Sequence, residues 1–271
     1  MSDFKAAEGP SSSSSLGHAA PEAAPEATVV DEGRAKELKE NLKAVQGRVD
    51  GAVVAAGREA DAMKLIAVSK TKPSTDIQAL YDAGQRDFGE NYFQELLSKV
   101  GELPKDIRWH FIGHLQSAKA GPIVKGCPNL ACVETVDSAK LAGKLNTASA
   151  SYRGEDNPLN VCLQVDTSGE ASKSGVSPAE APELAAFVKD KCPNLHVLGL
   201  MTIGAPGDFS CFDRLVECRA NVAAVLDVEP SSLELSMGMS GDFEAAIERG
   251  STRVRVGSTI FGARDYTGSK V

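Results

Sequence analysis

Leu65-Ile66-Ala67-Val68-Ser69-Lys70-Thr71-Lys72-Pro73 reads as one complete strand-to-helix junction. A run of aliphatic and β-branched residues bounded by a proline predicts a short buried strand, and Pro73 suits the opening turn of a helix. Lys70 then stands at the carboxyl end of the strand. An ammonium partly withdrawn from water there shifts toward its neutral, nucleophilic amine, the form that condenses with an aldehyde. The plain alternative is a surface lysine whose stem packs while its head reaches water.

The same alternation recurs along the chain. Strand-like runs are predicted over 65–69, 86–89, 109–112, 132–136, 161–165, 197–203, 233–237 and 254–257. Helical patterns lie between and after them over 74–83, 92–100, 118–124, 138–149, 178–191, 211–226 and 243–249. Eight strands interleaved with helices predict an α/β fold, a single (β/α)8 TIM barrel, with a doubly wound open sheet as the alternative. No outer helix is evident after Phe261. An amphipathic helix carrying Leu38, Leu42, Val45, Val49 and Val53, ending near Gly57, is expected to cover that gap.

Composition narrows the function. The 271 residues are 24% charged and 42% hydrophobic, enough for one large domain with a full core. A net charge of −8 and a pI near 5.2 argue against a nucleic-acid partner held by phosphate contacts. No apolar run approaches the ~20 residues that span a bilayer, so no membrane partner is expected. The six cysteines form no C-x-x-C pair and read as reduced thiols in a cytoplasmic compartment, without a metal site. Cys162 reads as a strand core residue. Residues 1–30, rich in Ser, Ala, Pro and Glu, read as a disordered tail, with an organelle address as the alternative. Residues 31–271 form the expected barrel.

In a barrel, ligands gather at the carboxyl ends of the strands, with phosphate held after strands seven and eight. Lys70 falls there. After strand seven comes Ser236-Met237-Gly238-Met239-Ser240-Gly241-Asp242, leading into a helix at Phe243, and after strand eight comes Gly257-Ser258-Thr259. Small residues let backbone N–H groups approach an anion. Ordinary turn chemistry is the alternative, with Ser240 as an N-cap. On strand eight Arg253 and Arg255 share one face. An inward Arg255 is a costly buried cation unless it meets a partner, and the ring nitrogen of pyridoxal 5′-phosphate (PLP) is a suitable one. A cation there disfavours ring protonation and weakens the electron sink. The alternative pairs both arginines with surface carboxylates, the expected state of Arg253.

These residues, with Phe88-Gly89-Glu90-Asn91-Tyr92, Trp109 to Ser117, Gln164 to Glu170, Gly199-Leu200-Met201-Thr202 and Val254 to Gly262, resemble in order the PLP homeostasis protein family. That family consists of single-domain relatives of the barrel half of alanine racemase. The resemblance covers roughly residues 31–266. It implies a fold-type III PLP barrel in which Lys70 forms the Schiff base, Ser236, Gly257 and Ser258 hold the phosphate, and Arg255 faces the pyridine nitrogen. Asn91, His114, Met201 and Met237 complete the implied pocket. Asn91 could instead cap the helix after it, and His114 could be structural. Lys72 and Lys173 are weaker candidates for PLP. Asp166 and Ala118 stand where family members often carry asparagine, and Ser258 where they carry threonine. The implied function is a PLP carrier that supplies apo-enzymes, a monomer or weak homodimer. The alternative is a racemase-like enzyme of low activity, which the chain disfavours by ending at Val271 without a domain to bring a second base.

Overall fold

A computed structural model of the protein describes residues 30–59, 63–154, 156–169 and 174–263. The tail expected over 1–30 falls, up to residue 29, outside the described residues, as does Lys173.

Every predicted strand forms. They are β1 (Lys64–Val68), β2 (Asp87–Glu90), β3 (Arg108–Phe111), β4 (Leu130–Val136), β5 (Leu159–Gln164), β6 (Leu195–Met201), β7 (Glu234–Met239) and β8 (Arg253–Val256). They close in sequence order into a parallel barrel, and β1 meets β8 with Leu65 beside Val254 and Ala67 beside Val256. The outer layer consists of α2 (Ser74–Asp82), α3 (Phe93–Glu102), α4 (Ala120–Gly126), α5 (Ala139–Tyr152), α6 (Ala181–Lys191), α7 (Ser210–Leu226) and α8 (Phe243–Glu248). A single helical turn, α9 (Ser258–Phe261), replaces the loop expected after Gly257.

The N-terminal helix α1 (Glu32–Ala55) occupies the missing outer position, as its periodicity implied. Its buried face is Leu38, Leu42, Val45, Val49 and Val53, and it packs against α2, α8 and α9. Polar ties fix its register. The Arg34 guanidinium donates to Asp76 on α2 at 2.7 Å and to the Phe261 carbonyl on α9 at 2.8 Å, while Arg48 pairs with Glu244 on α8. Asp31 caps the helix by accepting from the Arg34 amide.

Between barrel and helices lies one continuous apolar layer, including Phe88, Trp109, Phe111 and Met237. The barrel interior is different. A (β/α)8 interior is usually filled by branched aliphatic side chains, yet here Asp87, His110, Glu134, Ser236, Arg253 and Arg255 are buried, with Cys132, Cys162 and Met201 as a small apolar cluster. Alternation along each strand puts these residues inside and their neighbours outside.

Candidate functional site

A cavity of about 390 Å³ opens at the carboxyl ends of the strands. Lys70, Asn91, Met201, Arg255, Gly257 and Ser258 all line it. Lys70 is half-buried just beyond β1, in a turn whose next residue, Thr71, adopts a left-handed φ of 62°. That turn is clamped from beneath. The Lys99 ammonium, buried on α3, donates to the Ser69 carbonyl at 2.8 Å and to Glu90 and Glu95 at 2.6 Å each. Glu95 also accepts from the Thr71 amide at 2.6 Å, and the Ser69 hydroxyl donates to Glu90 at 2.6 Å. Burial pushes the Glu90 carboxyl above its usual range even against the Lys99 charge. Glu95 and Lys99 are one helical turn apart, a spacing that signals an ion pair, but only the fold shows that the pair grips the lysine turn.

Asn91 follows β2. Its alternative reading, as a helix cap, is not realised: Tyr92 occupies the cap position of α3 without a side-chain bond. The Asn91 Oδ1 is buried with no hydrogen-bond partner. Gly113, after β3, touches the same turn so closely that an added Cβ would lie 2.0 Å from the Asn91 carbonyl oxygen.

The loops after β7 and β8 meet. Ser240 is not an N-cap; its hydroxyl accepts from the Gly257 amide at 3.2 Å, and Asp242 caps the loop by accepting from the Met239 amide at 2.6 Å. Gly238, at a φ of +95°, lies near the end of β7, where the register against β8 shifts between Ser236 and Met239 and a left-handed backbone favours glycine. Ser240, Gly241, Met239, Ile203 and Lys72 also line the cavity. The Lys72 ammonium donates to the Ala263 carbonyl at 2.8 Å.

Three expected site residues lie elsewhere. Met237 points outward into the helix-facing core, because it alternates with the inward Ser236 along β7. Ser236 is buried beneath the cavity wall rather than in it. Its hydroxyl donates to Glu134 at 2.6 Å and accepts from Arg255 at 2.8 Å, so its single proton is committed and it positions the guanidinium. His114 is exposed and faces Asp137 at 3.5 Å; it is not a wall residue. Asp166 accepts from the amide and hydroxyl of Ser168, closing its own loop.

Arg253 departs from the surface pairing expected of it. It is buried with Arg255 inside the barrel, where it meets Glu234 and, at 3.3 Å, Glu134. Burial alone would lower its pKa, but the bond to Glu234 and neighbouring negative charge hold it above the ordinary value. Arg255 donates to Ser236 and, at 2.8 Å, to the Thr202 carbonyl. Burial pulls its pKa down, Glu134 and Asp242 opposing.

Beneath Arg255 runs a buried polar row that the sequence reading did not find. Arg108 pairs with Asp87, Asp87 lies 2.9 Å from His110 Nε2, and His110 Nδ1 lies 3.0 Å from Glu134. Glu134 then reaches Arg255 through Ser236. Burial would raise the Glu134 pKa, but the His110 bond and the charges of His110, Arg253 and Arg255 hold it at about 2. Asp87 is likewise held below the usual range by Arg108 and His110, against burial. The available signal was alternation: Asp87 precedes the outward Phe88, Arg108 and His110 alternate with the outward Trp109 and Phe111, and Glu134 follows the outward Val133.

Residues 34–265 match the family model of the alanine racemase N-terminal domain. The pyridoxal phosphate homeostasis protein of Bos taurus is 48% identical over 239 residues, covering 83% of this chain and 87% of that protein. The protein of the same name from Pseudomonas aeruginosa is 45% identical, covering 84% and 96%. Among solved structures, PipY of Synechococcus elongatus with PLP bound is 31% identical at a TM-score of 0.66, covering 83% of this chain and all of that one. Fold, order of motifs and near-complete coverage agree, and the chain belongs to the pyridoxal phosphate homeostasis protein family, built on the alanine racemase N-terminal domain.

Proposed function

We propose that this protein binds PLP reversibly at the barrel mouth, serves intracellular PLP homeostasis and supplies the cofactor to apo-enzymes. The observation that carries the reading is one cavity walled by Lys70, the buried Arg255 guanidinium and the paired loops of Ser240, Gly257 and Ser258. The residues present fit the group. About 390 Å³ lies within the size of small-ligand pockets, and the unpartnered Asn91 Oδ1 is an acceptor in the same wall. Bound PLP would supply an aldehyde for the Lys70 amine.

Each side chain has a role in this reading. The Lys99–Glu90–Glu95 clamp holds the turn that presents Lys70. Ser240, Gly257 and Ser258 would hold the phosphate with hydroxyl and amide donors. Arg255, permanently cationic, would face the ring nitrogen and disfavour its protonation, which suits holding an aldehyde better than carbanion chemistry. Ser236 acts through Arg255 by fixing its orientation. Among the described residues no tyrosine lines the cavity: Tyr92 and Tyr152 are exposed and the Tyr81 hydroxyl donates to Asp106. This favours a carrier over a two-base racemase. The proposal includes a cytoplasmic location, which six buried free thiols suit, and a monomer or weak homodimer. Among the described residues no helix is long and apolar enough to cross a membrane.

The test is an absorption spectrum with PLP, borohydride reduction and mass mapping of the modified lysine, followed by transfer from the loaded protein to a PLP-dependent apo-enzyme. The expected adduct is on Lys70, and Lys70→Ala abolishes it while the fold persists. An adduct retained on another lysine in that variant, or no adduct in the wild type, overturns the site. Rapid alanine racemisation would overturn the carrier reading.

A further inference from the structure

The opposite, amino-terminal end of the barrel holds a second cavity of about 1040 Å³. Its wall carries Arg58, Lys64, Arg86, Arg108 and Arg219 against Asp50, Asp87 and Glu234. Two of these carboxylates are engaged, Asp87 by Arg108 and Glu234 by Arg253, and the third, Asp50, is exposed on α1. Arg86 is held by Asp106. On a chain of net charge −8, the wall is a local excess of cations.

Arg219, on α7, is the telling residue. Its Nε is buried and meets no hydrogen-bond acceptor. A buried donor without a partner costs about 1–3 kcal/mol, more when charged. Arg219 also lies within reach of the Arg58 charge, and burial together with that repulsion pulls its pKa below the ordinary arginine value. Arg58 is fixed by its Nη1, which donates to the Ser251 carbonyl at 2.6 Å and the Ile247 carbonyl at 3.3 Å. Two guanidiniums within reach of each other's charge, with Lys64 on the same cavity wall and one N–H lacking an acceptor, match a group that offers several acceptor oxygens and more than one negative charge. Phosphate has that chemistry, and guanidinium forks fit it.

We propose that this cavity is a second ligand site, distinct from the mouth, which takes a small phosphorylated metabolite through Arg219, Arg58 and Lys64. The cavity exceeds what a phosphate group alone fills, so the headgroup is the anchored part and the remainder of the metabolite occupies the cleft. The site does not depend on the proposed PLP chemistry.

Calorimetric titration of the full chain tests it, first with inorganic phosphate and then with glycerol 3-phosphate, in chloride buffer at constant ionic strength. One saturable component should survive Ser258→Ala, at the mouth, and weaken about tenfold or more in Arg219→Gln, as loss of one charge-assisted bond implies. Arg219→Lys, which keeps the charge, should retain part of the affinity. Without phosphate, Arg219→Gln should unfold at the same or higher urea concentration than the wild type, because it removes a charge that Arg58 repels and whose buried Nε has no acceptor. Binding that disappears in Ser258→Ala and persists in Arg219→Gln puts the anion at the mouth and overturns the proposal. Absence of saturable binding by both probes does so as well, and so does destabilisation of Arg219→Gln without phosphate, the signature of a purely structural arginine.

Discussion

Replacing Glu134 by glutamine removes one negative charge from the centre of the barrel while keeping the side chain's shape. Glu134 is fully buried. Its Oε1 accepts from His110 at 3.0 Å and Arg253 at 3.3 Å, and its Oε2 accepts from the Ser236 hydroxyl at 2.6 Å. Two buried guanidiniums then share one carboxylate fewer. Breaking a buried ion pair from one side costs about 3–5 kcal/mol, a large part of the ~5–15 kcal/mol that stabilises a typical native domain. The pH dependence gives a second, independent check. In the folded protein the Glu134 pKa is held at about 2, below the ~4.3 of an unfolded glutamate. Its contribution is therefore complete above the unfolded value and is lost as pH falls toward the folded one. The stability gap between wild type and Glu134→Gln should be widest near neutrality and shrink as pH falls through that window, although Asp87 makes both proteins less stable in acid. Urea unfolding at a series of pH values measures it. A neutral-pH difference below about 1 kcal/mol, the scale of a surface pair, or a difference that does not change with pH, would refute the account of the buried row.

Two further substitutions address the mouth. Gly113→Ala should push the β2–α3 turn away, since its Cβ would lie 2.0 Å from the Asn91 carbonyl oxygen and 2.8 Å from the Asn91 Cα. Forcing backbone apart costs about 1–3 kcal/mol or more, and PLP affinity should fall with stability; wild-type behaviour in urea and in PLP titration would show the contact to be soft. Lys99→Met leaves Glu90 buried without its cation, at about 3–5 kcal/mol, and frees the Lys70 turn, so both stability and the rate of Lys70 adduct formation should drop. Because the folded Glu90 carboxyl is already raised and rises further without Lys99, the variant should gain stability in mild acid and lose it as pH rises through that carboxyl's folded pKa. Loss that is independent of pH would place the damage elsewhere.

Much of this protein was legible before its structure. The strand of Leu65 to Val68 with Lys70 beyond it, the pairing of Arg253 with Arg255 on one face, and the small residues after the last two strands depend on local periodicity and turn chemistry, which neighbouring residues encode. The apolar stripe of α1 even announced that this helix must be covered, and the barrel supplied one place to bury it. Alternation along β7 held the warning that Ser236 and Met237 cannot both face the ligand, since consecutive strand residues point opposite ways.

What the sequence could not give is which inward side chains meet. Ser236 bonds to Glu134 across 102 residues, and Arg253 reaches His110 across 143. Those contacts exist only because eight strands close on themselves, and a charge inside that barrel must take whatever partner the opposite strand offers. His114 shows the converse. Its position after β3 was right for the mouth, but the closed barrel left it exposed at the rim beside Asp137. Periodicity determined the alternation of strands and helices and the face each strand residue takes, because those follow from backbone geometry. Closure decided the burial of Arg253, the role of Ser236 and the buried row beneath Arg255, because desolvated charges are satisfied by neighbours in space that no local pattern specifies.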